Sequence, residues 1–184
     1  MDTSLYLYPL PPLAEPPSLE KVIGLLQELD FVGEPLAPQR WQVGSRFFQY
    51  LTFAGCSPHL RVTPREAGDW RFTHIRLGLE ETPPLRITPL RGRPRCPNCG
   101  QPLAEWRSQL AAWRQAANQP VTCVACGAAT PVAELDWRHY GVAARLCLEV
   151  TQVWPGEALP GDPLLEALQK GAGRPWGYAW AESA

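Results

Sequence analysis

Two stretches of the chain repeat apolar residues at helical spacing. In the first, Leu19, Val22, Ile23, Leu26 and Leu29 fall at i, i+3, i+4, i+7 and i+10, with Glu20, Lys21, Gln27 and Glu28 opposite. The stripe predicts an amphipathic helix capped by Ser18, whose hydroxyl can accept from the free amides of the first turn. The second, "GDPLLEALQKGAG", has Asp162 at the N-cap and Pro163 at the first helical position. Leu164, Leu165 and Leu168 share a face, and stop glycines follow at 171 and 173. Elsewhere the period is two. "SLYLYPL" reads as a short edge strand ended by prolines, and "RWQVGSRFFQYLTFAG" as a strand rich in aromatic and β-branched residues. "DWRFTHIRLGLE" places Trp70, Phe72 and His74 on one face and Ile75, Leu77 and Leu79 on the other. "GVAARLCLEVTQVW" alternates Leu146, Leu148, Val150 and Trp154, and "RPWGYAWAE" supplies a last strand.

In chain order these segments give strand, helix, strand, strand, insert, strand, helix, strand. That order predicts an α+β fold: one mixed, mainly antiparallel sheet covered on one face by two helices. It resembles a ferredoxin-like arrangement carrying an insert midway. On this reading residues 1–83 and 131–184 form the body. Residues 84–93, "PLRITPLRGR", are an Arg/Pro-rich linker, and 94–130 are the insert.

The 184 residues suffice for one core and a small appendage, and no run approaches the roughly 20 apolar residues of a membrane span. The N-terminal "MDTSLYLYPLPPLAEPP" has an acid where a secretory signal needs positive charge, so the expected location is cytoplasmic. Net charge is −1 but unevenly spread. Residues 1–83 and 146–184 each carry −3 and residues 84–145 carry +5.

Four of the six cysteines form two pairs, "CPNCG" (Cys96, Cys99) and "CVACG" (Cys123, Cys126). Two residues between cysteines let both sulfurs face one cation from a single tight turn, and two such turns complete a tetrahedral four-sulfur set. Gly100 and Gly127 follow where the turn needs positive φ. This pattern resembles the zinc-ribbon family over about residues 95–129. The resemblance implies that Cys96, Cys99, Cys123 and Cys126 are the ligands of one structural Zn2+ per chain, with iron as the alternative ion of like geometry. Four thiolates and one Zn2+ would lower the charge of the middle segment to about +3. Between the pairs a ribbon would have a β-hairpin, whereas "AEWRSQLAAWRQAANQP" puts Trp106, Leu110, Trp113 and Ala117 at i, i+4, i+7 and i+11, a helix. Its tryptophan stripe must dock on the protein or face a partner. Cys56 and Cys147 read as small buried hydrophobes.

No catalytic motif accompanies His59, His74 or His139. Cys56 and His59 could be drawn as a nucleophile and base, but a turn after a strand is the better account of them, and His74 reads as a hydrogen-bonded sheet histidine. Arg86, Arg91, Arg93 and Arg95, with Arg107, Arg114, Trp106 and Trp113 nearby, offer guanidinium groups for phosphates and rings for bases. The competing account pairs these arginines with the acidic flanks. Only two of 17 basic residues are lysine, so arginine enrichment runs through the whole chain. The expected function is therefore a non-enzymatic zinc-binding protein whose structural zinc, held by four cysteines, stabilises a protein-interaction surface. Nucleic-acid binding through the Arg86 to Arg95 stretch is the alternative. An enzyme with a pocket on the sheet near His59 or His74 is the third.

Overall fold

The computed structural model describes residues 3–54, 60–88 and 91–183. Its first half contains β1 (Thr3–Pro9), α1 (Leu19–Glu28), β2 (Val32–Ala37), β3 (Arg40–Val43), the single turn α2 (Phe47–Tyr50), β4 (Leu51–Phe53), β5 (Ile75–Leu79) and β6 (Arg86–Ile87). There follow α3 (Trp106–Gln115), β7 (Pro120–Thr122), β8 (Ala129–Pro131), β9 (Gly141–Val142), β10 (Leu146–Val150), β11 (Ala158–Pro160), α4 (Asp162–Ala172) and β12 (Trp176–Glu182). Six strands make one sheet in the order β12-β1-β10-β5-β3-β2, each neighbouring pair antiparallel. The fold is α+β with a mainly antiparallel sheet, as the residue pattern predicts.

Alternation along the strands sorts side chains onto two faces. Leu5, Leu7, Ile75, Leu77, Leu146, Leu148, Val150, Trp176 and Trp180 join Val22 and Leu26 of α1 and Leu164 and Leu168 of α4 in the main core. Ser18 caps α1 by accepting from the Lys21 amide. Helix α4 stops at Gly173, whose φ of 73° suits glycine. On the helix-free face Tyr6, Cys147, Ala179 and Ala181 pack against Val142 of β9 and Ala144.

Several expectations are corrected. β1 is not an edge strand but lies between β12 and β10, with Leu5 and Leu7 fully buried. Pro9 occupies its last register position, where its missing N–H interrupts little of the ladder. Residues 40–53 are not one strand. A Cβ at Gly44 would overlap the Asp30 carbonyl, so the chain turns there, and α2 then buries Phe47 and Tyr50 against Phe31. The β2–β3 hairpin was unforeseen. Pro35 and Pro38 conceal it, and β2 tolerates Pro35 because it is the sheet's edge. Trp70 to His74 precede β5 and do not belong to it. Asp162 is the first residue of α4, with Gly161 at the cap, and Trp154 lies beyond β10, 65% exposed.

Two leucines test this assignment of faces. Leu148→Ala, in the middle of the helix-covered face, should lower the unfolding free energy by about 2–5 kcal/mol in urea titrations. Leu79→Ala, at the exposed end of β5, should change it by about 0.5 kcal/mol or less.

Candidate metal centre

The two cysteine pairs sit on matching turns. In the first, the Gly100 amide donates to the Cys96 carbonyl (2.8 Å) and the Cys96 amide to the Gln101 carbonyl (2.9 Å). In the second, Gly127 donates to Cys123 (2.8 Å) and Cys123 to Ala128 (2.9 Å). Gly100 and Gly127 have φ of 72° and 74°. No atom would crowd a Cβ at either position, so backbone conformation, not space, selects glycine. The β7–β8 hairpin carries the second turn, and a bridge between Arg95 and Pro102 carries the first.

These turns bring all four sulfurs within 4.8 Å of one another. Cys96 to Cys126 and Cys99 to Cys123 are each 3.7 Å. A tetrahedral ion with metal–sulfur bonds of about 2.3 Å has sulfur–sulfur edges of about 3.8 Å, so the sulfurs stand at the spacing one cation requires. Four thiolates this close repel each other, and a central positive charge is what would let all of them ionise together. The cluster could thus hold a metal ion. Cys96 and Cys123 are buried while Cys99 and Cys126 face outward. Asn98 Nδ2 lies 3.5 Å from Cys126 Sγ. That amide and the Ala128 N–H hold the Cys126 thiol down at about 6, both favouring a charged sulfur. The Gln101 N–H favours a charged Cys99 in the same way, but desolvation and the neighbouring Cys126, Cys123 and Cys96 sulfurs outweigh it and push that thiol up to about 12. Asn98 was not singled out from the sequence; its place inside the Cys-x-x-Cys turn is the signal for it.

Around the sulfurs lies a second core. Cys96, Cys123, Leu103, Trp106, Trp113 and Ala117 pack with Leu85 and Ile87 on one side of the chain and Val132, Leu135, Trp137 and Ala143 on the other. Helix α3 turns its tryptophans inward: Trp106 and Trp113 are 9% and 1% exposed. Both meet Trp137 edge to face, with centroids 6.2 and 6.3 Å away, and Trp137 Nε1 donates to the Val132 carbonyl (2.9 Å). Gly141 makes room for this, since a Cβ there would come within 2.7 Å of the Trp137 ring. Trp137 is the residue the sequence reading missed. It lies seven positions beyond the expected end of the insert, outside any motif. Arg114 of α3 pairs with Glu182 at the end of β12 (2.9 Å), tying the cysteine module to the sheet.

Other candidates are dispersed. Cys56 and His59 fall outside the described residues. Cys147 is buried, and burial pushes its thiol up to about 12, which suits an inert hydrophobe. His139 stacks on Tyr178 (4.2 Å). Arg86 pairs with Glu80 (2.7 Å), Arg95 donates to the Gly100 carbonyl (3.4 Å), and Arg91 and Arg107 lie over the rings of Tyr140 and Trp106. Arg93 is exposed. No family model, curated protein or solved structure matches this chain.

His74 is buried, with Nδ1 2.9 Å from the Phe72 carbonyl and Nε2 2.6 Å from Arg40 Nη1. A carbonyl only accepts and a guanidinium only donates, so the ring is neutral with its proton on Nδ1. Burial is the main force holding its pKa below the usual imidazole value. The Arg40 and Arg76 charges add to this, and the Phe72 carbonyl and Glu149 oppose it. The unfolded chain therefore takes up this proton first as pH falls below about 6.5, and stability present above that pH is lost below it. Melting temperatures between pH 8 and 5 should fall on the acid side more steeply for the native chain than for His74→Gln.

Proposed function

We propose that Cys96, Cys99, Cys123 and Cys126 bind one structural Zn2+ per chain in the manner of a zinc ribbon, and that the module so held is a non-enzymatic interaction surface for a protein partner. The observation that carries this reading is the closed four-sulfur shell. Catalytic zinc keeps a position open for water or substrate, and a fourth sulfur fills it. Iron fits the same tetrahedron, but zinc asks for no redox partner around it. The segment 94–130 enters as an insert on a body formed by 1–83 and 131–184, and its apolar cluster also draws in Leu85 and Ile87 before it and Val132, Leu135, Trp137 and Ala143 after it. A thiol-rich shell favours a reducing compartment, hence the cytoplasm. Among the described residues no helix is long and apolar enough to cross a membrane.

A protein partner suits this surface better than nucleic acid. Val124 of the second knuckle is 94% exposed, Arg107 is exposed on α3, and Arg91 and Arg93 are exposed on the segment that leads into the module. Exposed arginines are among the residues that most often anchor protein interfaces. Base stacking lacks its rings, since Trp106 and Trp113 are buried, and Arg86 and Arg114 are held by carboxylates.

Metal analysis of the purified chain should return about one zinc per molecule, lost in Cys99→Ala together with the buried character of the Trp106 and Trp113 emission. A metal-free chain with an intact module overturns the reading. Val124→Asp should keep zinc and lose partner binding. Tight binding to DNA or RNA that weakens steeply with salt would transfer the assignment to nucleic acid.

A further inference from the structure

On the helix-free face, strand register lays a row of charged and polar side chains across four strands, ended by an alanine on the fifth. Arg40 of β3 stands opposite Arg76 of β5, Arg76 opposite Glu149 of β10, Glu149 opposite Tyr6 of β1, and Tyr6 opposite Ala179 of β12. The Glu149 carboxylate is satisfied within the row. Ser4 Oγ is 2.7 Å and Tyr6 OH 3.1 Å from Oε1, and Arg76 Nη1 is 3.3 Å from Oε2. Arg76 thereby has its counter-charge. Arg40 does not: among the described residues no carboxylate pairs with it, and its neighbours are the neutral His74 and the Trp70 ring, 4.8 Å from its guanidinium.

Two like charges directly opposite in a sheet are unfavourable, and here one of them lacks a counter-ion. The guanidinium of Arg40 is also partly desolvated, and this together with Arg76 pulls its pKa down, only partly opposed by the charge of Glu149, which is paired with Arg76. In front of the pair is a cavity of about 170 Å3, lined by Arg40, Arg71, Arg76, Glu149, Trp70 and Thr151 among others. Three guanidinium groups there face one carboxylate. Asp69, which approaches Arg71 Nε at 3.8 Å, is shared with Arg61 and is not part of the lining. The volume corresponds to on the order of ten water positions, suited to a small molecule and not to a strand of polymer.

We propose that this cavity binds a small ligand through an oxyanion, a phosphate or a carboxylate, which supplies the counter-charge that Arg40 lacks beside the Arg76–Glu149 pair. Guanidinium groups present paired N–H donors to either oxyanion. Arg71 lies at the rim, Thr151 and Gln152 supply neutral polar contacts, and the half-exposed Trp70, with Arg40 over its ring, gives the cavity an aromatic wall. The site lies in the body of the protein and does not rely on the cysteine cluster.

The test is calorimetric titration of the intact chain, at low salt, with inorganic phosphate, phenyl phosphate and benzoate, while tryptophan emission is followed. Saturable one-to-one binding that weakens with added chloride is expected. Binding of the two phosphates but not benzoate assigns a phosphate ligand, binding of benzoate alone a carboxylate, and binding of all three the shared oxyanion chemistry. Arg40→Gln keeps a donor for His74 and removes the like-charge pair. It should bind at least tenfold more weakly while melting at the same temperature or higher, the reverse of what a purely structural arginine would do. Arg71→Gln, at the exposed rim, should weaken binding several-fold, and Lys170→Gln, exposed on α4 over the opposite face of the sheet, should leave it unchanged. Absence of saturable binding by any of the three probes, or equal affinities in Arg40→Gln and the native chain, overturns the proposal.

Discussion

A carboxylate buried to 3% exposure cannot be left without partners, and Glu149 finds its own on both neighbouring strands. Ser4 and Tyr6 reach it from β1 and Arg76 from β5. The same register that satisfies Glu149 places Leu148 and Val150 beneath α1 and α4. A slip of one residue would bury Glu149 among leucines and turn those leucines outward. One acid thus fixes how three central strands align, and the apolar core on the other face depends on that alignment. Tyr6 extends the constraint, since its hydroxyl also lies 2.9 Å from the Glu182 carbonyl on β12.

What the sequence made legible follows from how local each signal is. The stripes of α1 and α4 and the turns of the two cysteine pairs are set by residues within a dozen positions of each other. They stand where the spacing puts them, Ser18 and Gly173 included. Edge or centre is not local. "SLYLYPL" has the same alternation in either place, and only pairing with β10 and β12, some 140 and 170 residues away, decides it. The β2–β3 hairpin was hidden by prolines that an edge strand tolerates, and α2 by aromatic residues whose β-propensity is overridden by packing against Phe31. The sulfur cluster could be read from spacing. Its supporting ring, Trp137, could not, because it comes from the return segment and meets Trp106 and Trp113 only after the chain has folded back. The Arg40–Arg76–Glu149 row left one trace, an acid inside the otherwise apolar "LCLEV".

The cysteine-centred cluster meets the sheet through both apolar and polar contacts, the apolar ones where Val142 of β9 packs on Tyr6 and Ala179. Strands β6 and β9 pair with each other, and Thr88, just past β6, donates to the Trp180 carbonyl of β12 (2.7 Å). Beyond this, the Arg114–Glu182 ion pair connects α3 to β12. Glu182 carries its carboxylate to the module while its carbonyl meets Tyr6, and the next residue, Ser183, touches Ser4 and lines the cavity in front of Arg40. The ion pair is only partly exposed on either side, so its contribution is on the order of a surface pair, up to about 1 kcal/mol, not a rigid weld. Loss of order around the cysteines would therefore be felt at the end of β12 but not along Leu5, Leu7 and Leu148, whose burial involves none of the module's side chains. The main core and the cysteine-centred core are two separate clusters of buried side chains in one chain.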